Sequence, residues 1–404
     1  MAAAYRLIIV GALVLALGLG VRQTFGLFLY PISVDLGLTR ESFGLAIAMQ
    51  NLIWGIAQPF AGLVADRYGG TRVIVIGGLL FAGGLLLMAG AKVSGDLYIS
   101  LGMLVGLGLS GTTFAVVLGA VGRAVPAEQR SVALGLVSAG GSLGMFVLVP
   151  GTQQLLGELG WVTTLQILAV CLLTVPVLAG LLAAPPGATS NAGPVAAPLS
   201  TQLRQARSHS GYWLLNFGFL VCGFHVTFVA THFPSYLTDH GITPGVSATA
   251  LALIGFFNIV GTYGFGLLGG RYRKKYLLSS LYAARAAVML MFLLVPLSNT
   301  SALAFAVAMG LLWLGTVPLT SGLVAQIFGV RYLSTLFGMV FLSHQLGSFL
   351  GAWLGGYMFD MTGSYATVWM ISVILGVAAM LLHWPINDTP VDVAVQRPTL
   401  DAGV

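Results

Sequence analysis

Apolar runs separated by short polar breaks recur along the whole chain. Each run is long enough for an α-helix that crosses a bilayer, which takes about 20 residues. The pattern therefore predicts an all-α membrane protein with twelve transmembrane helices. The predicted spans are residues 6–32, 42–65, 73–91, 97–121, 131–153, 162–184, 211–237, 247–269, 277–296, 300–325, 334–358 and 366–384.

Charged residues are scarce. Of the 404 residues, 57% are hydrophobic and 7% are charged, whereas a soluble globular protein carries about 25% charged residues. A chain of this composition cannot cover itself with polar surface, which excludes a soluble enzyme, a secreted disulfide scaffold and a disordered protein. Cys171 and Cys222 both lie in apolar runs and are predicted to be small buried hydrophobic residues, with no disulfide and no metal site.

The longest polar break divides the chain into two parts of similar length. It runs from about residue 185 to 210 and is rich in Pro, Gly, Ala and Ser, which is the composition of a linker. The predicted organisation is an N-terminal six-helix bundle at 1–184, a cytoplasmic linker at 185–210, a C-terminal six-helix bundle at 211–384 and a cytoplasmic tail at 385–404.

The two parts align with each other at an offset of about 203 residues. Arg22 lies over His225, and Gly160 lies over Gly363. An offset that persists from the first span to the sixth indicates two parallel six-helix repeats. Transporters of this design bind their substrate near the midplane of the bilayer, between the two halves.

Basic residues collect in every second loop. The chain carries 17 Lys and Arg against 11 Asp and Glu, a net charge of +6. Cytoplasmic loops of membrane proteins attract Lys and Arg, so membrane topology explains the excess and we predict no nucleic-acid partner. Because the opposite loops hold only Arg40 and Lys92, we predict an integral protein of the cell (inner) membrane with both termini and the linker in the cytoplasm. The basic loops hold Arg6, Arg67, Arg72, Arg123, Arg130, Arg204, Arg207, Arg271, Arg273, Lys274, Lys275, Arg331 and Arg397.

The loop between the second and third spans carries a specific pattern of small and charged residues. It reads Gly62-Leu63-Val64-Ala65-Asp66-Arg67-Tyr68-Gly69-Gly70-Thr71-Arg72, which resembles the loop signature of the major facilitator superfamily. The resemblance implies a twelve-helix carrier that works as a monomer. Gly62 is predicted to permit close helix packing. Asp66 is predicted to meet cationic side chains and a helix end, as part of a conformational latch formed by Gly62, Asp66, Arg67, Gly69 and Arg72.

Span five is similar to that of the monocarboxylate and oxalate–formate transporter families. The matching segments are Arg130-Ser131-Val132-Ala133-Leu134-Gly135 and Ala139-Gly140-Gly141-Ser142-Leu143-Gly144, followed by Pro150. This resemblance implies a small monocarboxylate as substrate. Two features depart from the monocarboxylate family. Arg22 stands where that family has an acidic residue in span one, and span eight holds no cation.

Arg22 is the strongest candidate for a substrate ligand. It lies near the middle of span one, where a charged side chain is costly and is expected to face a polar cavity or a partner. No Asp or Glu lies within a predicted span, and a guanidinium binds a carboxylate through two parallel hydrogen bonds. We therefore predict an anion site, and the alternative is a helix-packing arginine bonded to backbone carbonyls. For Arg285 in span nine, a structural contact to neighbouring carbonyls is the preferred interpretation.

Six further polar residues of the spans are candidate substrate ligands. As the repeat counterpart of Arg22, His225 is predicted to complete the site from the other half, because an imidazole can donate to an anion or titrate near neutral pH. The alternative for the candidates is a hydrogen bond between helices. The candidates are His225, His232, His344, Gln50, Trp54 and Asn258.

These features predict a secondary active transporter in the lipid bilayer that moves a small organic anion, preferably a monocarboxylate, by alternating access. Coupling is predicted as proton symport, through a histidine or protonation of the substrate, or as anion exchange. The alternatives are an efflux pump for a neutral or anionic drug or metabolite, and a membrane sensor that binds a ligand without transport. The sequence holds no nucleotide-binding motif, metal-spaced cluster or nucleophile–base pair, so we predict neither an enzyme nor a cofactor.

Overall fold

The computed structural model of the chain describes residues 2–114, 116–117, 121, 127–181, 199–329 and 333–391. Every regular element within these ranges is helical, and none of them contains a strand. The prediction of an all-α protein is therefore confirmed.

The helices follow the predicted spans to within a few residues. Helices suit these apolar runs because their backbone hydrogen bonds are made within the segment, as a bilayer requires. The helices of the first half are α1 (Ala2–Leu36), α2 (Arg40–Tyr68), α3 (Gly70–Ala89), α4 (Ser94–Leu97), a π-helix (Tyr98–Leu104), α5 (Val105–Thr112), α6 (Ala127–Leu172) and α7 (Thr174–Leu181). The following helices are α8 (Leu199–Ser208), α9 (Ser210–Asp239), α10 (Pro244–Arg271), α11 (Lys274–Leu294), α12 (Asn299–Leu311), α13 (Thr316–Phe328), α14 (Leu333–Thr362) and α15 (Ala366–His383).

Several predicted spans do not correspond to one unbroken helix. The fourth span is divided among α4, the π-helix and α5, and the tenth is divided between α12 and α13. The fifth and sixth spans run together as α6, in which the chain turns at Gly160 with a φ of 74° and a ψ of 173°. That backbone conformation is essentially confined to glycine, so a single residue makes the turn.

The end of the predicted linker is a helix. Residues 199–208 form α8, which contains no proline and directly follows the stretch rich in Pro and Gly. Gln202 and Ala206 on this helix are buried. The indole of Trp213 donates to the carbonyl oxygen of Arg207 (2.8 Å), and this bond ties α8 to the start of α9. The linker composition did not predict this helix.

Two hydrophobic clusters form the interior of the protein. One comes almost entirely from residues 7–179 and the other almost entirely from residues 206–386. Eight helical segments of the described ranges are long and apolar enough to cross a membrane. The exact bounds of the predicted domains stay a prediction. The residues that join the cluster of the other half are Leu27, Met145, Val149 and Ala352.

The ends of the helices gather at two faces of the bundle. On one of them, which we call the Arg40 face, Arg40 at the start of α2 contacts Asp239 at the end of α9 and Tyr365 beside α15. On the other, the Asp388 face, Arg273 and Asp388 form an ion pair of 2.5 Å. The hydrogen bond from Arg273 lowers the pKa of the Asp388 carboxyl below its usual value.

The two halves pack closely from the Arg40 face to the middle of the bundle. Helix α2 lies along α14, so close that a methyl group on Gly44 would lie 2.5 Å from the carbonyl oxygen of Ala352. Further along the same pair, the side chain of Gln345 donates to the carbonyl of Asn51 (3.2 Å). Helix α1 meets α9, and α6 meets α10. Packed helices therefore separate the middle of the bundle from the Arg40 face.

Candidate functional site

Arg22 lies on α1, at the level where the first half meets the second. Its Nη2 donates to Oδ1 of Asn51 (2.7 Å) and its Nη1 to Oε1 of Gln23 (3.4 Å). The guanidinium carbon lies 5.1 Å from the centre of the Trp54 ring, within the range of a cation–π interaction. These contacts are all to neutral groups. Among the described residues, no ion pair involves Arg22. The described residues therefore provide no counterion for its charge.

A small cavity between the halves adjoins Arg22. Its volume is about 10 Å³, which is room for about one water molecule. Next to it, a methyl group on Gly26 would overlap the carbonyl oxygen of Ala230, because α1 and α9 approach so closely there. The lining residues are Arg22, Gln23, Phe25, Gly26, Ile47 and Gln50 from the first half, and Thr227, Ala230 and Thr231 from the second.

Three of the lining residues present buried polar atoms that have no hydrogen-bond partner in the described part of the structure. They are Arg22 through Nε, Gln50 through both amide atoms, and Thr227 through its hydroxyl. Buried polar groups are nearly always hydrogen-bonded, so this concentration marks the cavity as a place where a polar ligand can bind. Gln50 was predicted from the sequence. Thr227 was not, because a helical threonine ordinarily bonds its own backbone.

His225 does not face Arg22. Its Nε2 makes a 2.8 Å hydrogen bond with the carbonyl of Ser372 on α15, and the residue is fully buried away from the cavity. Successive residues of a helix are about 100° apart, so His225 points almost opposite to Thr227, which lines the cavity. In this conformation His225 lies outside the cavity lining, so its role in completing the site with Arg22 stays a prediction.

The other two candidate histidines also lie outside the cavity lining. The Nε2 of His232 bonds to the carbonyl of Ala352 (2.7 Å), and its Nδ1 lies 3.4 Å from the hydroxyl of Tyr365. His344 bonds through Nδ1 to Oε1 of Gln345 (3.1 Å) and stacks on the ring of Phe341. Both histidines therefore make hydrogen bonds between or within helices. This is the alternative to substrate binding that was given for them from the sequence.

Trp54 and Asn258 belong to polar networks at the two broken spans. The indole of Trp54 donates to Oγ1 of Thr113 (3.1 Å), just beyond the end of α5, while its ring faces Arg22. Asn258 donates to Oγ of Ser142 across the halves (3.1 Å) and accepts from the backbone N–H of Leu314, between α12 and α13 (3.0 Å). Trp54 therefore borders the candidate site, whereas Asn258 joins α10 to its neighbours.

Arg285 makes the structural contacts that were preferred for it. The side chain is fully buried, and its Nε and Nη2 donate to the carbonyl of Leu312 at 3.0 and 2.7 Å. Nη2 also bonds to the carbonyl of Trp313, and Nη1 lies 3.4 Å from the sulfur of Cys222. These carbonyls lie beyond the end of α12, where no helical N–H is available to them, so Arg285 supplies their donors.

The predicted loop latch is described only in part. The side chains of Asp66 and Arg67 lie outside the described part of the structure, so the latch stays a prediction. Gly69 has a φ of 92° and makes the turn between α2 and α3, and Arg72 is exposed. A methyl group on Gly62 would meet no described atom within 4 Å. The close packing predicted for Gly62 is therefore not found in this conformation, because no described neighbour approaches it.

A helical membrane bundle with a polar cavity between its halves is the arrangement found in membrane transport proteins. The sequence profile of the Major Facilitator Superfamily matches residues 8–325, and the chain belongs to that family. The twelve-helix fold expected from the sequence is confirmed with it.

Relatives extend over most of the chain. Monocarboxylate transporter 13 of Rattus norvegicus is 26% identical over 392 residues, covering 95% of this chain and 89% of its own. The uncharacterized MFS-type transporter YcxA of Bacillus subtilis (strain 168) is 23% identical, covering 91% of both chains.

Solved structures share the fold. A bacterial homolog of the human lysosomal transporter Spinster, in an inward-facing and occupied conformation, superposes with a TM-score of 0.76 at 16% identity and covers 93% of this chain and 95% of its own. A D-xylose-proton symporter superposes with a TM-score of 0.74 at 15% identity, covering 96% of this chain and 99% of its own.

Proposed function

We propose that the protein is a secondary active transporter that moves a small organic anion, preferably a monocarboxylate, across the cell (inner) membrane by alternating access. The observation that supports this best is Arg22. Its guanidinium adjoins a cavity between the halves, bonds only to neutral amides and has no carboxylate partner among the described residues. An entering carboxylate would supply the missing counterion and the acceptor for Nε.

The relatives support a monocarboxylate in particular. Several of them are named as monocarboxylate transporters, at 24% to 28% identity. A monocarboxylate carries one negative charge, which matches the single uncompensated cation at the cavity. We propose coupling by proton symport or by anion exchange, and a monomer with both termini in the cytoplasm, so that the Arg40 face lies on the opposite side of the membrane.

Contacts between the halves support alternating access. On the Arg40 face, Arg40 of the first half pairs with Asp239 of the second at 2.5 and 2.6 Å. The cavity below is too small for an organic acid, so the substrate must enter when the halves separate. Because residues from both halves line the cavity, a substrate that bridges them stabilises the closed arrangement.

Uptake of labelled short carboxylates into proteoliposomes tests the proposal. Wild type is expected to show saturable uptake, and Arg22→Ala is expected to lose it while remaining monodisperse and folded. Arg204→Ala removes the same charge from an exposed position of α8 and should retain uptake. A folded Arg22→Ala variant with normal uptake would overturn the assignment. Uptake that rises with an inward proton gradient indicates symport, and uptake that needs a carboxylate inside the vesicle indicates exchange.

A further inference from the structure

A groove between the fifth and sixth spans opens on the outer surface of the first half. Both spans belong to α6, which folds back on itself at Gly160. The groove has a volume of about 360 Å³, which is within the usual range of ligand sites. Val147 and Val170, next to lining residues, are 57% and 62% exposed, so this surface faces the lipid of a bilayer. The walls include Leu148 and Thr152 of span five, and Leu168 and Cys171 of span six.

One end of the groove lies at the Arg40 face and the other lies near the middle of the bilayer. Glu158 is close to the turn at Gly160, and the indole of Trp161 donates to Asp35 near the end of α1 (2.8 Å). Leu148 precedes Glu158 by ten residues, which is a rise of about 15 Å along a helix. One leaflet of the hydrocarbon core is also about 15 Å thick. The groove therefore follows the depth of a single leaflet.

The end of the groove at the Arg40 face is polar and negatively charged. The amide of Gln154 donates to Oε1 of Glu158 (3.0 Å), which leaves Oε2 of Glu158 and Oε1 of Gln154 as acceptors. Among the described residues, no cation pairs with Glu158. A positively charged group with several N–H donors would satisfy both acceptors at once.

Deeper in the groove, Thr152 presents a hydroxyl that lacks a partner. The residue is 1% exposed, and its Oγ1 has no hydrogen-bond partner in the described ranges. The hydroxyl of Thr164, on the other arm of α6, donates instead to the carbonyl of Gly160 (2.7 Å), as helical threonines usually do. Buried hydroxyls are nearly always hydrogen-bonded. Thr152 lies about 9 Å deeper than Glu158 along the helix, so a ligand that satisfies both must carry two separate polar groups.

We propose that this groove binds a phospholipid of the leaflet on the Arg40 face, and that it selects a headgroup with a primary ammonium, as in phosphatidylethanolamine. A phospholipid carries its headgroup, ester carbonyls and acyl chains in that order from the membrane surface inward. The ammonium donates to Glu158 and Gln154, an ester carbonyl accepts from Thr152, and one acyl chain follows the apolar walls to Leu148.

The chemistry of the polar end decides among headgroups. The quaternary ammonium of phosphatidylcholine has no N–H to donate, and an anionic headgroup is repelled by Glu158. The groove shares no lining residue with the cavity beside Arg22. The inference is therefore independent of the transported substrate.

Native mass spectrometry of the purified protein tests the inference. The protein is equilibrated with equal amounts of phosphatidylethanolamine and phosphatidylcholine of matched chains, and the retained lipids are counted. We expect the wild type to retain about three- to fivefold more phosphatidylethanolamine, because ion pairs near the surface are weak. Glu158→Gln should abolish this preference, and Thr152→Val should lower retention of both lipids equally. Gly151→Leu fills the groove without meeting a described atom at its Cβ, and should lose the lipid.

Two control variants lie outside the groove. Gly157→Leu adds the same side chain to the same helix, at a position where an added Cβ also meets no described atom within 4 Å, and should retain the lipid. Asp96→Asn removes a carboxylate that accepts from the backbone N–H groups of Lys92 and Val93, and should keep the preference. Equal retention of both lipids by the wild type, or an undiminished preference in Glu158→Gln or Gly151→Leu, would indicate non-specific annular lipid only and overturn the inference.

Crosslinking of the wild-type chain covers the case in which a variant folds poorly. The probe is a phosphatidylethanolamine with a diazirine at the end of one acyl chain. In nanodiscs, it is expected to crosslink at the deep end of the groove, near Leu148 and Cys171, and unlabelled phosphatidylethanolamine should compete better than phosphatidylcholine. Crosslinks spread evenly over the outer surface, or equal competition by the two lipids, would contradict the site.

Discussion

Asn51 holds the guanidinium of Arg22 in place through two hydrogen bonds of its amide. Its Nδ2 donates to the carbonyl of Ile47 (2.8 Å), which turns Oδ1 toward Nη2 of Arg22 (2.7 Å). A neutral amide orients the guanidinium without cancelling its charge. The cation therefore remains available to an anion, which it would not be beside a carboxylate.

Replacing Asn51 by Asp should disable the proposed anion site, because it places a carboxylate beside Arg22 and also removes the donor to the carbonyl of Ile47. The new carboxylate lies beside Arg22, which keeps it ionised, and it competes with the anionic substrate for the guanidinium. We expect KM for carboxylate uptake to rise at least tenfold, as measured in proteoliposomes. Asn51→Ser, which adds no charge, should have a smaller effect. A wild-type KM in Asn51→Asp would show that Arg22 does not bind the substrate.

Arg285 tests the opposite case, a buried cation with a structural role. Arg285→Met removes the donors to the carbonyls of Leu312 and Trp313, and hydrogen bonds to a charged group contribute about 1.5–3 kcal/mol each. We expect a clear fall in melting temperature in detergent and an unchanged KM in the molecules that fold. Arg271→Met, at an exposed position, should leave the melting temperature nearly unchanged. A stable Arg285→Met variant that has lost uptake would assign this residue to the substrate path.

At the scale of the elements, each half turns at a glycine between its fifth and sixth spans, and we call this turn the glycine joint. Gly160 turns the chain between the fifth and sixth spans with a φ of 74°, and Gly363 turns it between α14 and α15 with a φ of 69°. The two residues are related by the same offset of about 203 that relates the halves. Each joint connects two antiparallel helices through a conformation that residues with a Cβ avoid, so the repeat conserves the turn together with its glycine.

Substitution of these joints should destabilise the protein for a backbone reason alone. The methyl groups of Gly160→Ala and Gly363→Ala would meet no described atom within 4 Å, so the expected cost of about 1–3 kcal/mol comes from the positive φ. Thermal unfolding in detergent measures it. Gly157→Ala is the matched control, because Gly157 is helical and its added methyl would also meet none of the described atoms within 4 Å. It should be neutral or slightly stabilising. Equal melting temperatures for Gly160→Ala and Gly157→Ala would contradict the role of the joint.

At the scale of the whole molecule, polar contacts on the Arg40 face link the halves. Arg40 binds both carboxylate oxygens of Asp239. Asp360 accepts from the backbone N–H groups of Arg40 (3.3 Å) and Glu41 (2.6 Å), at the start of α2, where a helix end favours negative charge. The indole of Trp353 donates to Glu41 (3.1 Å). Any opening on this face must break all of these contacts together.

Loss of the Arg40–Asp239 pair should shift the protein toward the arrangement open on this face. The two side chains are 12% and 21% exposed, so we expect a modest effect, about three- to tenfold in population. The shift in population can be measured with a single cysteine in place of Thr231, in a background that lacks Cys171 and Cys222. The quantity measured is the rate at which this cysteine is labelled by a membrane-impermeant maleimide applied from the Arg40 face. Asp239→Asn should accelerate labelling.

Two further variants establish that the effect comes from the pair. Exchange of the charges in the Arg40→Asp, Asp239→Arg double variant should restore slow labelling. Asp35→Asn removes a carboxylate whose one described partner is Trp161 of the same half (2.8 Å), and should not change the rate. Equal labelling of Asp239→Asn and wild type would show that the packed helices, not the ion pair, keep this face closed.

Part of the candidate site could be predicted from residue chemistry and part could not. A cation in an apolar span without an acidic partner is visible in the sequence, and this marked Arg22. The rotation of a helix about its own axis, which decides which side chains face the cavity, cannot be read from the sequence. The lining positions of α9 lie one or two residues later in the repeat than those of α1, and this small difference brings Thr227 to the cavity and turns His225 away from it.

The sequence by itself determined the membrane location, the helical class, the approximate spans and the repeat, because a bilayer admits only long apolar segments whose backbone groups are paired internally. Only the tertiary structure decided which polar side chains are satisfied. Arg285 donates to carbonyls beyond the end of a helix, and the Nε2 of His225 bonds to Ser372, whereas Gln50 and Thr227 have no partner among the residues that the structure describes. The physical reason is that hydrogen bonding acts over about 3 Å, and distances of that size between helices depend on how the whole bundle packs.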